Sequence, residues 1–179
     1  MPRGAPARGP AGPVASAPQR ELLSQALALH LPCVPVDVPG GSASALLPVL
    51  HHIQDALGFV PQPLVPEIAV ALSLSRAEVY GVVTYYHHFR GAPPGRHVVQ
   101  ICQAEACRAN GAEALMAHAG ARLACAPGRT RVDGVVTLEP VYCLGLCATG
   151  PAAMVDGQLR ARASAATVEG WAARFESES

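Results

Sequence analysis

Lysine is missing from this sequence of 179 residues, and all 13 basic residues are arginines. The absence of lysine excludes a Walker-type phosphate-binding lysine and a Schiff-base lysine. Aromatic residues are also scarce, at 4%, although apolar residues make up 50% of the chain. The hydrophobic cores must therefore be built from alanine, valine and leucine, which favours closely packed helices.

An excess of charge of either sign is absent too, because 13 acidic residues balance the 13 arginines. A neutral chain gives no electrostatic reason to expect nucleic acid as a partner. No apolar run approaches the ~18 residues that a membrane-spanning helix needs, so we expect no direct membrane insertion. Residues 1–18 lack the apolar stretch of a secretory signal and are predicted to form a disordered tail. We therefore expect a cytoplasmic protein, in which cysteines serve as metal ligands or buried thiols rather than disulfides.

Residues 19–90 are predicted to form a helical N-terminal domain. Apolar residues recur there at helical spacing, and Gly58 stands where the second helix should stop. Ser75 and Glu78 have the spacing of a capping box, which predicts the start of a fourth helix with Tyr86 on its buried face. The first three predicted helices run over residues 19–31, 42–57 and 64–72.

Residues 91–179 are predicted to form a second domain, since Gly91–Gly95 punctuates the chain like a linker. Asp156-Gly157 lies between two short strand-like runs, which is a strong hairpin signal. The order strand, helix, strand, hairpin, helix is typical of a small α/β sandwich, so the predicted fold class is α/β. The predicted elements are a strand over 97–103, a helix over 106–123, a strand over 132–142 broken by a turn at 133–134, the hairpin over 152–163 and a helix over 164–175.

Four of the six cysteines form two pairs, Cys102-x4-Cys107 and Cys143-x3-Cys147, and each pair follows a predicted strand. Four soft thiolates suit either tetrahedral zinc or an iron-sulfur cluster. Zinc sites are commonly built on tighter C-x2-C turns, so the wider spacers favour the cluster. Gly145, inside the second spacer, can adopt positive φ and let backbone N–H groups approach the sulfur atoms. These four cysteines are the predicted metal and cofactor ligands, and no catalytic residue is predicted.

The remaining cysteines, Cys33 and Cys125, have no partner at ligand spacing and are predicted to be small buried thiols. The histidine pairs 51–52 and 87–88 also suggest a metal site at first sight. Adjacent residues on a helix point about 100° apart and do not chelate one ion together. We expect one histidine of each pair to be buried and the other to be solvated.

The spacing C-x4-C, then C-x3-C followed by Gly150-Pro151-Ala152, resembles the thioredoxin-like [2Fe-2S] ferredoxins, which include the E subunit of NADH:quinone oxidoreductase. The resemblance covers roughly residues 20–175. Within that family, the segments HHFR at 87–90, GRHVVQICQAEACRANGAEAL at 95–115 and TLEPVYCLGLC at 137–147 most resemble the gamma subunit of NAD-dependent formate dehydrogenases.

The resemblance implies a helical bundle followed by a thioredoxin-like domain that carries one [2Fe-2S] cluster. It further implies a non-catalytic electron-transfer subunit of a soluble formate dehydrogenase, with FMN and NAD in a flavoprotein beta-type partner and molybdopterin in an alpha-type partner. The E subunit of NADH:quinone oxidoreductase, or the corresponding subunit of an NAD-reducing hydrogenase, is the alternative within the same class. A zinc-stabilised interaction module is the alternative from another class. A free thiol oxidoreductase is disfavoured because no C-x2-C pair exists.

Overall fold

The computed structural model of the protein describes residues 14–31 and 41–178. Two compact units divide the chain, the first ending at Pro93 and the second beginning at Pro94. Most of the predicted tail, residues 1–13, lies outside the described residues. The predicted thiol Cys33 lies outside them as well.

The described part of the first unit contains helices and no strand. Its first helix begins two residues earlier than the sequence predicted, because Ser16 caps it: the Ser16 hydroxyl accepts from Gln19 N–H, and the Gln19 side chain accepts from Ser16 N–H. Ala17 and Pro18, at the end of the predicted tail, form its first turn. The four α-helices are α1 (Ala17–His30), α2 (Leu46–Leu57), α3 (Val65–Ala71) and α4 (Arg76–Tyr85), with 3-10 turns at Gly41–Ala45 and Gln62–Leu64.

Two helix boundaries lie where local signals predicted them, whereas α2 begins at Leu46 and not at Ser42, because residues Gly41–Ala45 form a 3-10 turn. Gly58 ends α2 with φ of 81°, and Ser75 and Glu78 form both hydrogen bonds of the capping box at α4. Tyr86 departs from its prediction, since it follows the last turn of α4 and is 44% exposed. The core between the helices consists of small and medium aliphatic side chains, among them Val49, Leu50, Ile53, Leu64, Ile68, Leu72 and Val79.

One buried polar residue, Gln54 on α2, holds the segment that follows α4. Its Nε2 donates to the carbonyl of His88 at 2.7 Å, and its Oε1 accepts from the N–H of Arg90 at 2.7 Å. The carbonyl of Arg90 in turn accepts from Val60 N–H at 2.8 Å. Because the side chain of Gln54 satisfies two backbone groups at once, the segment is fixed to α2 without regular secondary structure.

The elements of the second unit are β1 (His97–Cys102), α5 (Glu105–Ala109), α6 (Ala112–Arg122), β2 (Arg129–Thr130), β3 (Val136–Val141), β4 (Ala153–Val155), β5 (Gln158–Arg160) and α7 (Ala165–Ser177). The five strands form one sheet in the order β2-β3-β1-β4-β5. The central strands β1 and β3 are parallel, and the other pairs are antiparallel. Val99, Ile101 and Leu138 from these strands lie in a core shared with Leu123 and Phe175. The sheet and its helices confirm the predicted α/β class.

The predicted helix over residues 106–123 is wrong in one respect, since it is two helices. Helix α5 ends at Ala109 and α6 begins at Ala112, with Gly111 between them at φ of 89°. A left-handed residue cannot continue a right-handed helix, and only glycine adopts it at little cost. The break gives α5 a direction of its own, so Cys107 is carried on a separate short helix.

The predicted turn at 133–134 is confirmed, but the predicted strand over residues 132–142 is too long at its start. Strand β3 begins only at Val136, and Val132 is fully exposed in a turn. The Asp133 carboxylate accepts from Val135 N–H at 3.0 Å and pairs with Arg131 at 2.7 Å, which favours a turn over an extended strand. This turn joins β3 to the short β2, which the sequence did not predict. The predicted hairpin at Asp156-Gly157 is confirmed, since it joins β4 to β5.

None of the helices in the described ranges combines the length and the apolar composition needed to cross a membrane.

Replacing Gln54 with leucine is expected to destabilise the protein. The carbonyl of His88 and the N–H of Arg90 would lose their partner beside a buried side chain, which costs about 1–3 kcal/mol for each unsatisfied group. Urea unfolding followed by circular dichroism measures the change. The matched control is Gln25→Leu, because Gln25 is exposed on α1 and its side chain donates to the exposed Glu21 side chain. Equal stability of the two variants would contradict the anchoring role of Gln54.

Candidate metal centre

The parallel pair β1–β3 brings the two cysteine motifs to one edge of the sheet. Cys102 is the last residue of β1 and lies opposite Val141, the last residue of β3. Cys143 follows two residues later. The carboxyl ends of parallel strands meet at the same edge, so both motifs leave the sheet side by side. Cys107 lies on α5 and Cys147 begins a 3-10 turn (Cys147–Thr149), as the two spacers require.

The second motif forms a tight loop that holds its two thiols together. The Sγ atoms of Cys143 and Cys147 are 3.6 Å apart. Two sulfurs bound tetrahedrally to one metal at ~2.3 Å are separated by about 3.8 Å, so this pair is spaced to share a metal atom. Cys143 and Gly145 both have φ of 79°, which confirms the predicted positive φ at Gly145. The same conformation at Cys143 is uncommon for a residue with a side chain.

Backbone N–H groups surround the sulfur of Cys102. Cys143 N–H donates to it at 3.4 Å, and the N–H groups of Ala104 and Leu144 also hydrogen-bond to it. Burial raises the pKa of the Cys102 thiol, but these hydrogen bonds, together with one from the Cys107 thiol, outweigh burial and leave the pKa lowered. The protein thus favours negative charge on this sulfur, as a metal-bound thiolate requires.

The pKa values of two further thiols, Cys107 and Cys147, are raised, and neighbouring cysteines contribute to both shifts. Burial is the main cause that raises the pKa of Cys107, and the charges of Cys102 and Cys143 add to it. The pKa of Cys147 is raised first by its hydrogen bond with Cys143 and then by the charge of that thiol, with smaller contributions from Cys107 and Cys102. A cation or a cationic cluster core would neutralise the thiolate charge that raises the pKa of Cys107 and Cys147, so the cysteines favour binding of such a group.

The four cysteines differ in their access to solvent. Cys102 and Cys107 are each 1% exposed, whereas Cys143 and Cys147 are exposed. Apolar side chains pack around the buried pair, including Ala112, Ala152, Val141, Leu144 and Leu146. The site therefore has a dry side built on β1 and α5 and a wet side built on the loop after β3.

This donor set fits an iron-sulfur cluster. Four soft sulfurs, carried to one edge of the sheet and supplied with N–H donors, match the known ligation of such clusters. In the described ranges, no group of three or more His, Cys, Asp or Glu side chains is arranged to hold a single metal ion. The close sulfur contacts fall within the pairs 102/107 and 143/147.

The remaining candidate ligands lie elsewhere. Cys125 is buried in the core of the second unit, where its thiol bonds to the carbonyl of Arg129 at 3.1 Å. His51 and His88 contact each other with ring centroids 4.8 Å apart in the first unit. The expectation that one histidine of each pair is buried is wrong, since His87 and His88 are both exposed and His52 is only half-buried. The first pair lies on α2, where the His52 ring contacts His30 of α1, and the second lies in the turn that follows α4.

Sequence reasoning missed the backbone donors of the site. Besides the N–H groups around Cys102, the N–H of Ala152 hydrogen-bonds to the sulfur of Cys107. Every residue except proline carries an N–H, so no residue type signals this role. The Gly150-Pro151-Ala152 motif was the available signal for this segment, and its Gly150–Pro151 peptide is cis.

Known proteins with similar sequences and structures point to one family. Residues 36–175 match the sequence profile of the thioredoxin-like [2Fe-2S] ferredoxins. The E subunit of NADH-quinone oxidoreductase from Escherichia coli K12 is 36% identical over 113 residues, which are 63% of this chain and 68% of that protein. NADH-quinone oxidoreductase subunit 2 of Thermus thermophilus is 31% identical over 120 residues, which are 67% of this chain and 66% of that protein.

A solved structure supports the same assignment at the level of the fold. The H2-reduced crystal structure of an NAD+-reducing [NiFe]-hydrogenase superposes with a TM-score of 0.62 and 26% identity. The match covers 75% of this chain but only 22% of that hydrogenase chain. The expected thioredoxin-like fold with an N-terminal helical region is thereby confirmed. Because the family profile extends over well more than half of its length, this chain belongs to the thioredoxin-like [2Fe-2S] ferredoxin family.

Proposed function

We propose that this chain is an electron-transfer subunit that holds one [2Fe-2S] cluster on Cys102, Cys107, Cys143 and Cys147 and exchanges electrons with a flavoprotein subunit. The observation that carries the proposal is that the parallel strands β1 and β3 bring both cysteine pairs to one edge of the sheet, where the charges of Cys102 and Cys107 reach Cys147. A bound [2Fe-2S] cluster supplies one-electron redox chemistry, which none of the 20 amino-acid side chains provides readily.

The residues of this chain would hold and tune that group. Cys102 and Cys107, on the dry side of the site, would anchor the cluster in the second unit, since both side chains are buried. The N–H groups that bond to Cys102 stabilise negative charge on sulfur, which favours reduction. The wet pair, Cys143 and Cys147, leaves one side of the site at the surface, where a redox partner can approach. No acid, base or nucleophile is needed for this role.

The identity of the whole complex is a further part of the proposal. The segments 87–90, 95–115 and 137–147 resemble the gamma subunit of NAD-dependent formate dehydrogenases, which we propose as the complex. The relatives named above favour the alternatives, since they belong to NADH-quinone oxidoreductases and to an NAD+-reducing hydrogenase. All three are oxidoreductases that use NAD(H), so FMN and NAD would bind to a partner subunit in each. A reducing cytoplasm would keep the four thiols available for metal.

Cys107→Ala and Cys143→Ala are each expected to abolish the visible absorption of the anaerobically purified protein, because each removes one cluster ligand. Cys125→Ala is the matched control, since Cys125 is buried but lies in the core of the second unit. It should keep the full absorption and lose only about 1 kcal/mol of stability. Iron, sulfide and zinc are counted in all variants, and electron paramagnetic resonance is recorded after dithionite reduction.

Equal loss of colour in the three variants would contradict the ligand assignment. Colourless wild-type protein with one zinc and no signal after iron-sulfur reconstitution would instead favour the zinc-stabilised interaction module. The 3.6 Å separation of Cys143 and Cys147 suits zinc as well as iron, so the metal count decides between the two.

Gly145→Val is expected to impair cluster assembly through the backbone alone. A Cβ at Gly145 would meet no atom within 4 Å, but φ of 79° is strained by about 1–2 kcal/mol for a residue with a side chain, and more when that side chain is β-branched. The iron content after reconstitution measures the effect. Gly91→Val is the control, because Gly91 has equally open surroundings and no positive φ. A similar iron loss in both variants would contradict the requirement for the left-handed loop.

Affinity purification of the tagged chain from its native host is expected to recover a flavoprotein subunit and a molybdopterin-containing subunit. Mass spectrometry identifies the subunits, and FMN and molybdenum are quantified in the eluate. Recovery with quinone-reducing membrane subunits would support the NADH:quinone oxidoreductase alternative and overturn the formate dehydrogenase assignment. An eluate that contains nickel and no molybdenum would support the hydrogenase alternative.

A further inference from the structure

Gly150 lies against the sulfur of Cys107. A Cβ built on Gly150 would be 3.3 Å from the Sγ of Cys107 and 3.5 Å from its Cα. It would also lie 3.7 Å from the Nδ2 of Asn110, whose side chain is held by the carbonyl of Ala106 at 2.7 Å. The backbone at Gly150 therefore packs on Cys107 at a distance that leaves no room for a methyl group without movement of the sulfur.

The segment that carries Gly150 is held at both ends by backbone hydrogen bonds. Arg162 N–H donates to the carbonyl of Thr149 at 2.9 Å, and Ala163 N–H donates to the carbonyl of Pro151 at 2.8 Å. Cys102 N–H donates to the carbonyl of Ala152 at 2.9 Å. Because three hydrogen bonds fix the segment 149–152, a clash at Gly150 is relieved more easily by the Cys107 side chain than by the segment.

The same segment supplies a donor to the sulfur that Gly150 touches. Ala152 N–H hydrogen-bonds to the sulfur of Cys107, a residue that is 1% exposed and so receives little help from water. For a buried thiolate, a backbone donor is a main source of stabilisation. The distance between Ala152 N–H and the sulfur depends on how closely Cys107 can approach the segment.

We propose that Gly150 is a positioning residue whose missing side chain lets segment 149–152 lie on the Cys107 sulfur and keep the Ala152 N–H directed at it. Gly150 thereby raises the reduction potential of the site. The inference rests on the proposed cluster ligation.

Gly150→Ala tests the proposal without backbone strain, because φ of −67° and ψ of 165° at Gly150 suit alanine. The added methyl pushes the sulfur away from Ala152 N–H by a few tenths of an ångström and weakens that hydrogen bond. The reduced state carries more negative charge than the oxidised state, so it loses more stabilisation when this hydrogen bond weakens. We expect the equilibrium constant for one-electron reduction to fall about threefold, which is a drop of about 30 mV at 59 mV per tenfold change.

The potential is measured by redox titration of the full chain, with electron paramagnetic resonance of the reduced protein as the second readout. Gly170→Ala is the matched control, since a Cβ at Gly170 on α7 meets no atom within 4 Å. Circular dichroism and thermal unfolding of the metal-free proteins report on the fold independently of the cluster.

A lowered potential with an altered resonance spectrum in Gly150→Ala, and unchanged values in Gly170→Ala, supports the proposal. Loss of the cluster in a Gly150→Ala chain whose metal-free form unfolds like the wild type supports it as well. A reduction potential and a resonance spectrum of Gly150→Ala equal to those of the wild type would overturn the proposal. An unfolded metal-free Gly150→Ala chain would overturn it too, since Gly150 would then be needed for the fold rather than for the site. Wild-type protein without iron refutes the proposed function instead, so the two failures are distinguishable.

Discussion

The parallel pairing of β1 with β3 is the constraint on which the rest of the site depends. Its register sets Cys102 opposite Val141, so the loop after β3 begins beside the end of β1. The spacers that follow Cys102 and Cys143 then place Cys107 on α5 and Cys147 in the 3-10 turn at this edge. A shift of one residue in either strand would turn every side chain of that strand to the other face and carry its motif away from the other. The register of β1 and β3 therefore determines whether the two cysteine pairs lie side by side.

Much of this arrangement could be predicted from the sequence because its signals are local. The capping box at Ser75, the stop at Gly58 and the hairpin at Asp156-Gly157 each depend on a few neighbouring residues, and all are found. The cysteine spacing likewise identifies the candidate ligands, because each pair follows a strand that β-branched residues predict. The α/β class follows from the order of these elements.

The missed features depend on contacts distant in sequence or on groups that every residue carries. Gly111 divides the predicted helix after Cys107, but an isolated glycine in an alanine-rich run does not reveal that it adopts positive φ. Strand β2 consists only of Arg129 and Thr130, and it exists because β3 offers it an edge. The N–H groups that bond to Cys102 and Cys107 come from Ala104, Leu144 and Ala152, whose side chains have no part in the contact. The position of such backbone donors is therefore seen only in the three-dimensional structure.

The division of the site into a dry and a wet side follows from two opposing demands on an electron-transfer protein. Burial of Cys102 and Cys107 holds these two proposed ligands rigidly and strengthens their hydrogen bonds, since the local dielectric is low. Burial of all four sulfurs would also separate the site from any partner and would penalise the added charge of reduction. Exposure of Cys143 and Cys147 relieves both difficulties, while the left-handed turns at Cys143 and Gly145 keep that loop tight. The backbone donors on the dry side then compensate where water cannot reach, which is why a close approach such as that of Gly150 to Cys107 matters more there than at the exposed pair.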